Sequence, residues 1–303
     1  MQRELSDFLK MHDVEYKENL PLSSISPIGI GAEADAVVYP RDVEQLVSLL
    51  GFLENGKIIY KISGRMSNLL PPDKKYKKII VRTDKLNCIS LAGQDVTADC
   101  GVGMARLSNW LCDRGLSGFE ELSGIPGSIG GSIVGNAGAF GREISDLLTE
   151  IILYDKNLKN VISVSPADMG FGYRRSNVLT FNYVVLGAKF HFAEDSLSSI
   201  KHRIEKIKEK RVKTQPVGMR SLGSTFKRPS NMISASKLID QCGLKGYRIG
   251  GAMISEKHAG FIVNIGGATA KDYIDLSDYA SECVYSRFNI KLEREVEIME
   301  GGE

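Results

Sequence analysis

Cysteine and histidine are scarce in this chain, and neither is spaced for chemistry. Cys88, Cys100, Cys112, Cys242 and Cys283 form no CxxC pair, and five thiols cannot all be consumed in internal disulfides. Reduced thiols and a cytoplasmic setting are therefore expected. His12, His191, His202 and His258 contain no HExxH spacing, so a zinc centre would have to gather ligands from distant segments; no metal is expected. Long apolar runs are missing as well. No stretch approaches the ~18 residues of a membrane helix, and residues 1–11 lack the basic-then-apolar build of a signal peptide. Neither a membrane span nor export is expected. An excess of one charge is also absent: 39 Lys+Arg face 37 Asp+Glu, a net +2, which argues against a partner held by bulk charge such as nucleic acid. With 43% apolar and 25% charged residues, the chain has material for a core and is not disordered or of low complexity. Its 303 residues suit about two domains, or three small ones, at roughly 150 residues each.

Glycine is what the chain has in abundance. Seven of the 18 residues from Gly124 to Gly141, GIPGSIGGSIVGNAGAFG, are glycine, so something there requires close main-chain approach. Around this run the pattern is mixed. A short helix with Leu5, Phe8 and Leu9 on one side is followed by irregular chain over 22–31, a strand at Ala34 to Tyr39, and a helix opened by Pro40 and Asp42 with Val43, Leu46, Leu50 and Leu53 at helical spacing. Runs 57–62 and 78–82 read as strands flanking a glycine turn. Strands are expected near 96–99, 150–153, 161–164 and 183–192, around a helix over 104–114. Residues 196–213 read as a basic amphipathic helix with Leu197, Ile200, Ile204 and Ile207 in its stripe, which is taken as a solvated connecting helix rather than a binding face. The last hundred residues read as a compact α/β unit, with a helix ending at Gly243, a turn at Gly250 and Gly251, a strand over 260–264 and a helix capped by Thr269.

Several segments carry residue types suited to chemistry. The glycine run can present bare main-chain amides to a diphosphate, making a nucleotide cofactor the natural guest; it matches neither GxGxxG nor a Walker loop, and a stack of tight turns is the competing reading. In ISGRMSNLL (62–70), Gly64 can take a positive φ while Ser67 and Asn68 offer short hydrogen-bonding groups. In FGYRRSN (171–177), Arg174 and Arg175 follow Tyr173, so a guanidinium could balance a carboxylate or a developing enolate. In GSTFKRP (223–229), Gly223 allows close approach at Ser224, whose hydroxyl could donate a proton. In LEREVEIM (292–299), Glu293, Glu295 and Glu297 share one face if the segment is a strand. Taken singly, each has an ordinary explanation: a surface ion pair, a turn serine, a solvated sheet face.

Taken in order, SGIPGSIGGSIVGNAGAFGREISD (123–146), GYRRS (172–176), GSTFKRP (223–229), LIDQCGLKGYRIGGAMISEKHAGFIVN (238–264) and EVEI (295–298) resemble the UDP-N-acetylenolpyruvoylglucosamine reductase family. The resemblance covers nearly the whole chain and, lacking the tyrosine-bearing loop between Tyr173 and Gly223, points to the shorter subgroup. It implies an α+β fold: a two-subdomain FAD-binding fold of the vanillyl-alcohol-oxidase (PCMH) type, over 1–78 and 79–195, plus a C-terminal α/β substrate domain over 196–292, with residues 293–303 returning to the first subdomain. It implies FAD as cofactor and NADPH as co-substrate, used to reduce UDP-N-acetylglucosamine enolpyruvate to UDP-N-acetylmuramate for peptidoglycan, in a cytoplasmic monomer. By the same resemblance Arg174, Ser224 and Glu295 are catalytic. Gly64, Arg65, Met66, Ser67 and Asn68, with Gly124, Ile125, Pro126, Gly127, Ser128, Gly130, Gly131, Asn136, Ala137 and Gly138, hold the cofactor, and Tyr173, Arg228, Lys245 and His258 meet the substrate. The chain departs from the family pattern at residues 26–32, where a Thr-Thr-aromatic-basic stretch is replaced, at the Pro71, Pro72 and lysine-rich 71–78 segment, and at Arg228, where Asn is usual; weaker flavin contacts are expected there. Two other readings stay open: a different FAD oxidoreductase on the same scaffold, and a flavin-free paralogue that only binds a sugar nucleotide.

Overall fold

The computed structural model describes residues 3–230 and 232–301, so residues 302 and 303 of the tail expected to return lie outside the described residues. Contacts divide the chain into two compact units. The first comprises the chain up to Glu18, Ala36–Arg65 and Lys78–Glu209; the second comprises Asn19–Asp35, Met66–Lys77 and the chain from Lys210 on.

In the first unit, helix α1 (Arg3–Met11) buries Leu5 and Leu9, one turn apart, and helix α2 (Val43–Asn55) buries Leu46, Leu49, Leu50 and Leu53. The Asp42 carboxylate caps α2 by accepting from the Gln45 amide at 2.8 Å, as a short acidic side chain before an apolar stripe should. The strands Tyr60–Ser63 and Tyr76–Arg82 pair in parallel, Tyr60 opposite Ile79 and Ser63 opposite Arg82, within a sheet ordered Glu15–Pro21, Glu33–Tyr39, Tyr76–Arg82, Tyr60–Ser63. The strand Glu15–Pro21 was invisible to hydropathy. It lies at the sheet edge, and of its seven residues, EYKENLP, only Tyr16 and Leu20 are even partly buried, too little to give a period-2 signal.

A second, five-stranded antiparallel sheet runs in the order Asn160–Val164, Leu148–Asp155, Tyr183–His191, Asp95–Asp99, Ile89–Ala92. Helix α3 (Met104–Cys112) supplies Met104, Leu107 and Leu111 to the same core. Within the glycine run, where turns were expected, Ile129–Val134 forms a short helix, α4, placing Ile129 and Ile133 in that core. Helix α5 (Leu197–Thr214) buries only Ile200 of its predicted stripe, in keeping with a mainly solvated helix.

The second unit has its own core, built on Ile28, Ile30, Leu222, Leu238, Ile262, Tyr273, Leu276 and Val296 among others. Its antiparallel sheet runs Arg220–Ser224, Phe261–Asn264, Ala252–Ile254, Arg248–Ile249, flanked by helix α6 (Ala235–Gln241) and the 19-residue helix α7 (Ala270–Phe288). The two-residue strands Leu69–Leu70 and Glu297–Ile298 pair in parallel. The two segments that depart from the family pattern turn out to be packed on each other. A Cβ on Gly31, which has φ +127°, would lie 2.6 Å from Pro71 Cβ, the Ala32 amide donates to Pro72 O at 2.9 Å, and Ile28 O accepts from Asn264 Nδ2 at 2.9 Å.

Asp73, in the same departing segment, caps α7 from outside the helix. Its two carboxylate oxygens accept from the Ala270 and Lys271 amides at 2.7 and 2.9 Å, adding to the reciprocal capping box of Thr269 and Asp272. Asp73→Ala is expected to destabilise the second unit by about 1 kcal/mol, read as a lower urea midpoint, with Lys74→Ala as an unaffected control.

Candidate active site

In the first unit the two glycine-bearing turns singled out by sequence lie against one another. A Cβ on Gly64 would sit 2.3 Å from Ser128 Oγ, and one on Gly103 would sit 2.5 Å from Arg65 Nη2. The positive φ that Gly64 could take falls at Met66, at 55°, and Gly64 makes room for Ser128. A third turn completes the stack: a Cβ on Gly101 would fall 1.8 Å from Thr83 O, and one on Gly130 would fall 2.9 Å from Cys100 Cβ. The Ile129 and Gly130 amides donate to Val102 O and Cys100 O at 2.9 and 2.8 Å. Gly101 therefore makes room for main chain and Gly64 and Gly103 for side chains, and the Ile129 and Gly130 amides, the latter at a predicted cofactor position, are spent on the neighbouring turn. Gly124, Pro126 and Gly131 remain exposed, Ile125 packs on the core, and Ser128 is buried.

The Tyr173 loop is stitched to the end of the same run. Asn136 Nδ2 donates to Gly172 O at 3.0 Å and to Glu143 at 2.7 Å, Ser176 Oγ donates to Val134 O at 2.7 Å, and Arg174 Nη2 donates to Gly138 O at 3.0 Å. Asn136 is fully buried and Ala137 donates to Ser132 O at 2.8 Å, so both hold the turn. Arg174 adopts φ 53°, a left-handed conformation that a non-glycine residue keeps only where its surroundings enforce it. Its guanidinium lies 5.1 Å from the Tyr173 ring centre. Neither 62–70 nor 123–141 contains a carboxylate, and the stacked turns offer main-chain amides, small hydroxyls and the exposed Arg65. That donor set fits an anionic dinucleotide cofactor.

In the second unit Ser224, at the end of the strand Arg220–Ser224, is exposed and pairs with Phe261. Gly223 takes φ +79° with nothing within 4 Å of a notional Cβ, so it serves backbone conformation and not the close approach expected. The next residue joins three strands' worth of chain: Thr225 N donates to Gly260 O at 2.8 Å and Thr225 O accepts from Glu295 N at 2.9 Å. Ser224 and Glu295 thus lie one residue apart across a ladder. Asn68 joins from the turn, with Nδ2 donating to Glu295 O at 2.9 Å and its carbonyl accepting from Glu297 N at 3.0 Å. The predicted Glu-bearing strand is broken. Glu293 bonds Lys227, Arg294 forms an isolated bridge with Phe226, and only Glu297–Ile298 is regular strand.

Residues 34–157 match the family model described as FAD binding domain, and residues 215–299 match that of the UDP-N-acetylenolpyruvoylglucosamine reductase C-terminal domain. UDP-N-acetylenolpyruvoylglucosamine reductase of Caldicellulosiruptor bescii is 38% identical over 298 residues, covering 98% of this chain and 94% of that protein. The enzyme of that name from Streptococcus pneumoniae strain JJA is 38% identical over 299 residues, covering 99% and 98%. The chain belongs to the UDP-N-acetylenolpyruvoylglucosamine reductase family. The crystal structure of UDP-N-acetylenolpyruvylglucosamine reductase from Thermus caldophilus superposes with a TM-score of 0.81 at 30% identity, covering 95% of this chain and 99% of that one. The expected fold class, an FAD-binding α+β fold with a C-terminal domain, is that of the family.

Membership in the reductase family gives the remaining predicted positions a setting. Lys245 Nζ pairs with Asp240 at 2.9 Å and is partly exposed; Arg228 is exposed, beyond the Phe226 bridge. His258 sits edge-on to Phe261, 4.9 Å between ring centres, and its Nδ1 accepts from the Gly260 amide at 3.2 Å, leaving the proton on Nε2. Thr225 and Arg294, beside the predicted serine and glutamate, were missed by sequence. Both lie inside quoted motifs, but nothing in residue type distinguishes a main-chain junction from ordinary strand. No helix is long and apolar enough to cross a membrane, and no group of His, Cys, Asp or Glu is arranged to hold a metal, among the described residues.

Burial, and then the nearby Lys245, hold the His258 imidazole below its ordinary value, against the opposing effect of its backbone hydrogen bond. In the window between the lowered folded pKa and the unfolded value of about 6.5, the unfolded chain binds the extra proton. The stability contribution is therefore complete above that window and lost as pH falls through it. Urea midpoints of the native protein should decline from pH 7 to pH 5.5 more steeply than those of His258→Asn, which keeps an acceptor for Gly260 N–H but cannot titrate.

Proposed function

We propose that this chain reduces UDP-N-acetylglucosamine enolpyruvate to UDP-N-acetylmuramate, with FAD as resident cofactor and NADPH as electron donor. The observation that supports this reading is the junction at Thr225, whose main-chain bonds join the segment of Ser224 to the segment of Glu295. In this reading Gly64, Arg65, Met66, Ser67 and Asn68, with the Gly124–Gly138 run, hold FAD. Arg65 and the main-chain amides not spent within the stack would supply donors for its anionic groups. When bound, FAD supplies a two-electron relay from NADPH to the enolpyruvyl C3 of the substrate.

The residues of the chain handle the charge and the proton. Hydride addition at C3 makes C2 strongly basic, with negative charge spreading into the attached carboxylate. Arg174, whose left-handed backbone fixes the start of its side chain, balances that charge. Ser224 Oγ donates its proton to C2; an alcohol is a weak acid, but a carbanion within hydrogen-bond reach is a strong enough base. Glu295 either polarises the substrate carboxylate as an acid or orients the groups around it. Lys245 and Arg228 supply cations for the diphosphate of the sugar nucleotide, the neutral His258 offers Nε2–H, and Tyr173 presents a half-exposed aromatic face. Residues 1–78 and 79–195 form the FAD-binding subdomains and 196–292 the substrate domain of a monomeric cytoplasmic enzyme.

Anaerobic mixing with NADPH and then with the enolpyruvyl sugar nucleotide tests the assignment. Ser224→Ala is expected to bleach its flavin band with NADPH at close to the native rate, yet recover it with substrate about a hundredfold more slowly or worse. Equal losses in both half-reactions would remove Ser224 from the proton-donor role.

A further inference from the structure

The strand carrying Ser224 has a weak point just before it. Along Arg220–Ser224 the register slips between Ser221, opposite Val263, and Ser224, opposite Phe261: three steps on one strand face two on the other. Such a bulge frees local backbone and re-aims the residues next to it. Gly223, at φ +79° with open space around it, adds no packing to restrain the chain. The hydroxyl expected to meet a carbon atom within a few tenths of an ångström therefore depends on the contacts that hold Thr225.

Thr225 is held from below by α7. Its Oγ1 and the Tyr273 hydroxyl share a 3.0 Å hydrogen bond, and both residues are 1% exposed. Tyr273 stands on the first turn of a helix whose N-terminus is fixed by Thr269, Asp272 and Asp73. One turn further along the same face, the fully buried Ser277 accepts from Arg294 Nε at 2.8 Å. Arg294 also pairs with Asp278 and bridges to Phe226. Residues 273 and 277, four apart, thus grip the immediate neighbours of Ser224 and Glu295 respectively. A valine and a phenylalanine would fill the same space without a polar pair to satisfy, and such double replacements are close to neutral for stability. The polar pair adds what apolar packing does not, a directional contact that selects one position for the Thr225 backbone.

We propose that Tyr273 is a positioning residue for the reductase reaction, acting through Thr225 to set the reach of the Ser224 hydroxyl and its alignment with Glu295. This rests on the function proposed above and adds to it a residue that touches neither substrate nor cofactor. A displacement near 1 Å at a reacting group can cost ~10²-fold in rate, so a modest slackening at Thr225 should be visible.

Tyr273→Phe and Thr225→Val should each leave reduction of the flavin by NADPH within about twofold of native. Reoxidation by saturating UDP-N-acetylglucosamine enolpyruvate should slow about tenfold or more, with the half-saturating concentration within about twofold. Thr225→Ser, which keeps the hydroxyl, should restore most of the rate. The double variant separates positioning from stability: removing both polar groups should recover the unfolding midpoint lost in either single variant while reoxidation stays slow. Hydrogen exchange supplies a reading independent of turnover. The Thr225 and Glu295 amides should lose protection at least fivefold in Tyr273→Phe, and the amides in the middle of α7 should not. Native reoxidation rates in both single variants, recovery of rate together with stability in the double variant, or unchanged exchange at Thr225 would each overturn the proposal. A native protein whose reduced flavin is not reoxidised by this substrate would instead overturn the functional reading beneath it.

Discussion

Close approach at glycine is the constraint on which the rest of the first unit depends. At Gly101 a Cβ would fall 1.8 Å from Thr83 O and at Gly130 2.9 Å from Cys100 Cβ, while at Gly64 and Gly103 it would fall 2.3 and 2.5 Å from the side chains of Ser128 and Arg65. Three turns are thereby brought together, two of which, 62–70 and 123–141, carry no acid of their own, although Glu143 lies against Gly138. Close approach also determines what is left for a ligand. Amides such as those of Ile129 and Gly130 are consumed by the stack, and only groups on its outer side remain available.

The second unit is organised differently, with separate segments of chain joined by hydrogen bonds to Thr225. The amide of that residue reaches Gly260, its carbonyl reaches Glu295 and its side chain reaches Tyr273, so every polar group it carries is spent on orientation. Around this junction the chain is less regular than a strand: a bulge precedes it and the glutamate segment opposite is broken. The irregular backbone at Ser224 exposes that residue while α7 secures the neighbouring Thr225 through Tyr273.

The segments that depart from the family pattern also find a physical reason. Residues 26–32 and 71–75 differ together and pack together, through Gly31 against Pro71 and Ala32 against Pro72, while Asp73 closes the end of α7. Read as sequence they looked like lost flavin contacts. In the fold the two segments pack on each other.

Local rules made much of this legible in advance. The leucine spacing of α2, the caps Asp42 and Thr269, and the strand runs near 96–99, 150–153 and 183–192 were readable because each depends on neighbours a few residues away. The family motifs were readable because their residues stand in unbroken order. What sequence alone determined was thus the inventory: which elements exist, which side chains are fit for proton transfer or anion binding, and that glycine was needed. Tertiary structure decided the uses. Only folding shows that Gly64 answers to Ser128 rather than to a positive φ, that an apparent run of turns contains α4, that a polar edge strand exists at Glu15–Pro21, and that Tyr273 reaches Thr225 across 48 positions. Those facts rest on contacts between residues far apart in the chain, and periodicity carries no information about which distant surface a residue will meet.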